Sequence, residues 1–556
     1  MTPPEIRWAG PRALLIQLES LESVLAVHAH LQQHPLRGQV DVLAAARTVL
    51  AVFDSGTSAR AARTAVAQLD TSPATDSAPV GDPVRIEVVY DGDDLAEVGR
   101  LTGLDPDGVI AAHTGQLWTA AFGGFAPGFA YLVGENETLT VPRRTSPRTA
   151  VPAGAVALAG NFSAVYPRRS PGGWQLIGRT ASRLWDLGRD QPALLRPGTA
   201  VQYVAVRETV TVSDPAAGAG TSTDAPNETG HSLEVLTPGP QSLIQDLGRP
   251  GLGDVGVSKA GAADTASARQ ANRLVGNAPG DAVIETILGG LTVRAHGELT
   301  LALAGAITPV EITTTNDAGG DNTRTAPMCS PFALHDGETL TLDQPAAGLR
   351  TYLAIRGGID VPEVLGSRST DVMSGIGPDP LAAGAVLPIG AIDQGRTVGA
   401  AEPSTLPDAV RLGLGTPVLL RITGGPRHDW FTDESQTAIT SQTWTVTAES
   451  NRIGVRLATD ENQEAAEPLE RLTADELPSE GVVAGSLQVP PSGLPVLFLA
   501  DHPVTGGYPV IGVVVPDDLP IAAQLPPGTM LRFESVDPET LQPLTKTQTP
   551  ITTRSS

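Results

Sequence analysis

Cysteine is almost absent. The 556-residue chain has one, Cys329, so no disulfide can form within it and no cysteine-based metal site exists. A solitary cysteine of this kind reads as a small buried hydrophobe. Positive charge is also scarce: Lys plus Arg number 37 against 61 Asp plus Glu, a net charge of −24. That balance excludes a nucleic-acid partner, because binding a phosphate backbone needs a basic face. No run approaches the ~18 apolar residues of a membrane-spanning helix. The start, Met1-Thr-Pro-Pro-Glu-Ile-Arg-Trp8, has neither a charged n-region nor an apolar stretch, so no signal peptide is expected. These absences together point to a cytoplasmic protein.

Standard catalytic signatures are missing too. There is no Gly-x-x-x-x-Gly-Lys-Ser/Thr phosphate loop, no His-Glu-x-x-His and no Gly-x-Ser-x-Gly elbow. No Met-Lys-Met marks a biotin carrier. The nine histidines are scattered along the chain, and no metal site is expected from them.

What the chain does have is punctuation, 60 glycines and 48 prolines. Strands bounded by such residues predict a mainly β protein. At about 150 residues per domain the length suggests three or four domains. Residues 1–75 alternate strand and helix, with strands at Arg12–Leu18 and Arg47–Phe53 and helices at Ser20–Gln33 and Ser58–Leu69. This is a small α+β unit. Residues 84–210 follow as a second unit. Residues 213–230 are rich in Ala, Gly, Ser, Thr and Asp and read as a linker. A third unit spans 231–405, and a fourth 408–538. The stretch 540–556 reads as a disordered tail.

One pattern occurs twice. Gly172-Gly-Trp-Gln-Leu-Ile-Gly178 returns as Gly506-Gly-Tyr-Pro-Val-Ile-Gly512. Upstream, Val151-Pro-Ala-Gly-Ala-Val156 matches Val482-Val-Ala-Gly-Ser-Leu487. Downstream, Leu195-Arg-Pro-Gly-Thr199 matches Leu525-Pro-Pro-Gly-Thr529. Three matches in one order indicate a duplicated domain. Each copy reads as strand, tight turn, strand. Only the first continues into arginine, Arg179, so an anion site on this turn is expected on the first copy.

Polar clusters sit in the glycine-rich turns. Gln245-Asp246-Leu-Gly-Arg249 places an acid and a guanidinium either side of a turn. Arg356-Gly-Gly and Ser367-Arg-Ser369 repeat the theme, and Tyr166-Pro-Arg-Arg-Ser170 leads into the first repeat. Arginine recognises carboxylate or phosphate through two parallel hydrogen bonds, so these clusters suggest a small anionic ligand. Their alternative is arginine–carboxylate ties between loops. Phe122-Gly-Gly-Phe-Ala-Pro-Gly-Phe-Ala-Tyr-Leu132 is either a packed loop or the lining of a ligand pocket.

These stretches resemble a known family. Phe122–Leu132, Val151–Val156 and Tyr166–Thr180 are similar to the B subunit of bacterial ATP-dependent 5-oxoprolinase. Gln245–Arg249, Gly366–Thr370, Asp429–Phe431, Gln488–Pro491 and Thr505–Pro509 are similar to its C subunit. Both sets also resemble the carboxyltransferase part of urea amidolyase, and a sporulation-kinase inhibitor with its antagonist. The resemblance implies a mainly β protein with an α+β N-terminal unit and several cyclophilin-like β-barrels. It implies ATP, with Mg2+, as the source of the phosphoryl group, and 5-oxoproline or a related lactam or amide as substrate. It also implies a separate partner protein similar to the 5-oxoprolinase A subunit. The alternatives it leaves are a biotin-dependent carboxyltransferase of the urea amidolyase type and a non-enzymatic kinase regulator. His113, Asp246 and Arg179 are the expected catalytic residues, with a satisfied structural histidine the alternative for His113 and a turn cap the alternative for Asp246. Tyr166, Trp174, Gln175, Gln245, Arg249, Arg356, Ser367, Ser369, Asp501, Thr505 and Tyr508 are the expected binding residues. The chain departs from its relatives at Ser258, Ala260 and Ala263, and in Asp501-His-Pro-Val-Thr505. These departures bear on the ligand rather than on the fold.

Overall fold

The N-terminal unit is built around Ala13–Gln17, whose first four residues are all buried. It lies inside an antiparallel sheet of order Glu5–Trp8, Ala13–Gln17, Thr48–Phe53, Gln39–Ala44. Alternation along these strands sorts the side chains onto two faces. Leu14, Ile16, Val49 and Ala51 face two helices, Leu21–Gln33 and Gly56–Val66. Each helix starts at a serine, Ser20 or Ser55, whose hydroxyl accepts the backbone N–H three residues on, satisfying one of the first-turn donors. Leu15, Leu43 and Leu50 face the other way and pack on Val504. The computed structural model describes residues 4–69, 82–208, 230–315, 321–411, 415–459, 467–473 and 475–544. Most of the 213–230 linker and the end of the tail lie outside them.

Two seven-stranded barrels follow, mainly β and cyclophilin-like in type. The first uses Val84–Val88, Trp118–Gly123, Ala130–Gly134, Ala155–Ala159, Phe162–Val165, Gln175–Arg179 and Ala200–Ala205. The second uses Val418–Gly424, Trp444–Val446, Gly454–Thr459, Ser486–Gln488, Val496–Phe498, Val510–Val514 and Met530–Ser535. Strand for strand, the order is the same. In both, the first strand pairs parallel with the last. The first barrel closes through a bridge between Val89 and Arg179, the second through Ile422–Gly424 against Gly512–Val514. A register shift falls at the same place in each, between Leu176 and Gly178 and between Leu487 and Gln488. Each barrel also carries the same small side ribbon, Arg148–Val151 with Ser170–Gly172 and Glu480–Gly481 with Thr505–Gly506. The Gly-Gly-aromatic turn joins that ribbon to the barrel wall in both copies.

A further correspondence has no counterpart in the sequence repeat. Trp118 Nε1 donates to the carbonyl of His113 at 2.9 Å, and Trp444 Nε1 to that of Ile439 at 3.1 Å. Each tryptophan thus ties the last turn of a short helix, Pro106–Thr114 or Asp433–Ser441, to the first residue of a barrel strand. Both rings are almost fully buried.

Between the barrels in sequence lies a sandwich of a six-stranded and a five-stranded sheet. Leu233, Val293, Ile312, Leu301 and Leu353 fill the space between them. Val310–Thr315 pairs antiparallel with Asp321–Thr325 at one edge of the six-stranded sheet. Helix Thr265–Val275 covers the other side of the five-stranded sheet, setting Ala268, Ala271 and Leu274 on Ala302, Ala304 and Tyr352. Asp264 caps it through Ser267 N at 2.9 Å, and Gly276, at φ 76°, ends it.

The two halves of the chain are keyed together by backbone. Gly128 N donates to Val255 O at 3.2 Å. A Cβ on Gly256, at φ +80°, would lie 2.3 Å from Ala126 O, and one on Gly123 2.4 Å from Asp254 O. Contacts this close admit only glycine. The Phe122–Leu132 loop is therefore a packed element: Phe122, Phe129 and Tyr131 are buried in the aromatic core of the first barrel, and its apex meets residues 253–256.

Candidate functional site

The turn after strand Gln241–Gln245 pairs with the loop that follows it in space. Arg249 N donates to Lys259 O at 2.8 Å, and Ala262 N to Asp246 O at 2.9 Å. The chain at 366–371 lies across this pair. Asp246 holds it: its carboxylate accepts Ser367 Oγ at 2.7 Å, Arg368 N at 2.7 Å, Gly248 N at 2.7 Å and the hydroxyl of Ser369. Burial works to raise the pKa of Asp246, but these hydrogen bonds outweigh it and hold the carboxyl below its ordinary range. Gln245 Nε2 donates to Thr370 O at 2.9 Å, and Arg249 Nη2 donates to Ser369 O.

Asp371 continues the cluster. It accepts Ser258 Oγ at 2.9 Å and the N–H groups of Met373 and Ser374. Val372 N then donates to Asp501, which the second barrel contributes. Asp501 is fully buried and forms a paired contact with Arg452, both N···O distances being 2.9 Å. Arg452 also binds Glu285 and the carbonyl of Gly261. Burial would lower the pKa of Arg452, but Asp501 and Glu285 raise it further. Burial keeps the Asp501 carboxyl above its usual range despite Arg452.

Two cations in this seam are under-paired. Arg249 is 1% exposed, yet its Nη1 finds no hydrogen-bond partner among the described residues. Arg168, from the first barrel, faces the same Asp371, and burial lowers its pKa. Burial likewise lowers that of Arg249, against Asp371, Asp246 and Asp501. Asp371 is already accepting three hydrogen bonds, and among the described residues neither guanidinium is ion-paired with it, although both feel its charge. Such a site favours an incoming oxyanion.

Six expected residues thus come together: Gln245, Asp246, Arg249, Ser367, Ser369 and Asp501. Their roles differ from expectation. Ser367 and Ser369 donate to Asp246 rather than pointing outward, and Asp246 is occupied as a loop anchor. Arg356 is placed elsewhere, donating to Val275 O and Arg396 O. Thr505 is buried in the side ribbon of the second barrel, and Tyr508 is exposed.

The first-barrel residues stand apart from the seam. His113 is fully buried, with Nδ1 2.7 Å from Tyr90 Oη, Nε2 3.0 Å from Ser163 Oγ and its ring stacked on Tyr203. Burial brings its pKa down to about 3. Both nitrogens are engaged, so this is a structural histidine and not an accessible base. Arg179 lies on the surface, paired with Asp91 at 2.8 Å, in solvent that screens its charge. Tyr166 and Trp174 pack edge-on against Phe129, and burial pushes the Tyr166 hydroxyl up to about 12. Gln175 donates to Pro142 O. The under-paired arginine of the first barrel is Arg168, eleven residues before Arg179, because the strand carries Arg179 to the outside.

Arg168, Ser258, Glu285, Asp371 and Arg452 complete the seam; Arg168 lies in the Tyr166–Ser170 cluster and Ser258 among the departures, but the sequence assigns none of the five a site role. Arg452 had a signal, a lone charge in Asn451-Arg-Ile-Gly-Val455. Glu285 and Asp371 had none, since the partners that bring them into the seam, Arg452 and Ser258, lie more than 100 residues away in the chain. Among the described residues no group of three or more His, Cys, Asp or Glu is placed to hold a metal ion. No helix among them is long and apolar enough to cross a membrane.

Residues 4–195 match the family model "Carboxyltransferase domain, subdomain C and D", and residues 255–535 match "Carboxyltransferase domain, subdomain A and B". The chain belongs to the carboxyltransferase-domain family. Within that family it is 34% identical over 304 residues to the C subunit of 5-oxoprolinase from Escherichia coli K12, covering 54% of this chain and 90% of that protein. It is 46% identical over 130 residues to the B subunit of 5-oxoprolinase from Escherichia coli O157:H7, covering 23% of this chain and 60% of that one. The crystal structure of TTHA0988 superposes with a TM-score of 0.79 at 32% identity, covering 94% of this chain and 99% of that one. The carboxyltransferase-domain family thus accounts for both halves, and the seam lies where its two domain types meet.

Proposed function

We propose that this chain supplies the parts of both the B and C subunits of an ATP-dependent 5-oxoprolinase, and acts with a separate protein similar to that enzyme's A subunit. The observation that supports the reading is the seam itself: segments similar to the B and C subunits, on one chain, bring Arg168 and Arg249 within the electrostatic reach of Asp371. A lactam is a poor electrophile. Transfer of a phosphoryl group from ATP to the lactam oxygen activates the ring carbon; water adds there, the C–N bond opens, and hydrolysis of the acyl phosphate releases glutamate and phosphate. Such a reaction needs positioning and charge neutralisation more than covalent help from the protein. Arg249 and Arg168 offer that charge in a site with little water. Asp246 positions loop 366–371, and Arg452 positions Asp501. With no carboxylate cluster to hold it among the described residues, Mg2+ would arrive with the nucleotide.

The test is a reconstitution of the full chain with a protein similar to the A subunit, in the presence of ATP and 5-oxoproline. Glutamate and ADP should form together, and Arg249→Met should lower kcat/KM by about 100-fold. A folded complex that forms no glutamate would overturn the reading. Carboxyl transfer from a biotinylated carrier in the same assay would replace it with the carboxyltransferase alternative.

A further inference from the structure

A cavity of about 400 Å³ lies at the junction of three parts of the chain. The N-terminal sheet, the 250–259 loop and the second barrel each supply a wall. This volume falls within the range of small-molecule sites, roughly 300–1,000 Å³. The walls are largely apolar, with Leu43, Val52, Val257, Val483, Val504 and Leu519 among them. Five polar side chains also line it: Arg12, Asp41, Asp54, His502 and Lys259.

Four of these five are already engaged. Arg12 pairs with Asp517 at 3.7 Å. Asp54 accepts Ser58 Oγ at 2.7 Å. Asp41 accepts Val42 N at 2.9 Å and Gly253 N at 3.3 Å. His502 turns Nδ1 to its neighbour Pro503 O at 2.8 Å and stacks on Phe498. Lys259 is different: among the described residues its ammonium has no hydrogen-bond or ion-pair partner. The side chain stays accessible, while the surrounding protein strips enough water to lower its pKa, and Arg269 and Arg12 add to the effect.

Lys259 is also unusual in this chain. Of the 37 Lys plus Arg, two are lysine, Lys259 and Lys546, and the rest are arginine. Its position is held firmly. Lys259 O accepts Arg249 N at 2.8 Å, Ser258 Oγ is tied to Asp371, and Ala260 takes a left-handed φ of 51°. The loop therefore directs Ser258 into the seam and leaves Lys259 on the cavity wall.

We infer that this cavity binds a small organic carboxylate, its carboxyl group on the Lys259 ammonium and its apolar body against the valine and leucine walls. A monoanion matches one unpaired cation. A phosphate dianion would leave a second charge against apolar walls without a partner. The inference does not depend on the 5-oxoprolinase reading, and the two fail separately: turnover tests that reading, equilibrium binding tests this one.

The experiment is calorimetric titration of the full chain with hexanoate, hexanamide and inorganic phosphate. Hexanoate should bind one per chain, with hexanamide and phosphate at least about tenfold weaker, the scale of a charge-assisted contact. Lys259→Met should weaken hexanoate by about tenfold, and Lys259→Arg by less. Val483→Trp, which fills the cavity and leaves the lysine, should abolish binding; an unchanged urea midpoint would show that each variant is folded. The proposal is overturned if hexanoate does not bind, if Lys259→Met binds it equally well, or if hexanamide or phosphate matches it.

Discussion

At the scale of single residues, burial decides what each polar group does. His113 sits among Tyr90, Ser163, Trp118 and Tyr203, where the charged form is disfavoured. Its folded pKa is about 3, against roughly 6.5 in an unfolded chain. Below pH 6.5 the unfolded chain takes up a proton that the native protein refuses, so stability falls as pH drops through this window, by up to about 1.4 kcal/mol per unit. Urea unfolding at pH 7 and pH 5 should show His113→Gln losing less stability than the parent over that interval. An unchanged difference would mean that His113 is protonated in the fold. Asp246 presents the opposite case, a carboxylate kept ionised by four donors. Asp246→Ala strands those donors and should cost roughly 2–4 kcal/mol, read as a lowered urea midpoint.

Among elements, ties between distant segments govern the seam. Arg452 holds Asp501 and Glu285 from two different units, with all three side chains buried. Removing one member leaves charge buried without a partner, so Arg452→Met should destabilise the chain by roughly 3–5 kcal/mol. Thermal unfolding measures this, and a loss below about 1 kcal/mol would show that water already reaches the pair. The glycine key acts similarly through shape. Gly256→Ala has both a left-handed φ and a 2.3 Å contact with Ala126 O against it. It should open the contact between residues 122–132 and 253–256, seen as faster amide exchange at Gly128, whose N–H donates to Val255 O. Much of this scale is legible in the sequence. Gly172–Gly178 and Gly506–Gly512 reveal the duplicated barrel because turns need glycine and strands alternate, which are local requirements. The Trp118 and Trp444 ties are not legible, because a single aromatic residue in a short strand carries no repeat signal.

For the whole molecule, the arrangement predicts that the two halves recognise each other without a covalent join. The N-terminal sheet packs Leu15, Leu43 and Leu50 on Val504 of the second barrel. Arg427 of that barrel reaches Gln17 at 3.0 Å and Glu480. Residues 1–208 and 230–556 expressed as separate chains should therefore co-elute as a one-to-one complex in size-exclusion chromatography. Elution as independent species would show that the join is needed to hold the seam together.

The sequence by itself determined the kind of protein: mainly β, duplicated, acidic, with the motifs of two carboxyltransferase domain types in one chain. Turn residues, strand alternation and motif order are local or periodic, so they can be read without coordinates. Only the tertiary structure decided which polar groups meet. It took Arg179 to the surface and His113 into the core, turned Ser367 and Ser369 onto Asp246, and brought both Arg168 and Arg249 under the influence of Asp371. It also left Lys259 facing a cavity that no single segment encloses. Those outcomes depend on packing between segments far apart in the chain, and no local pattern carries that information.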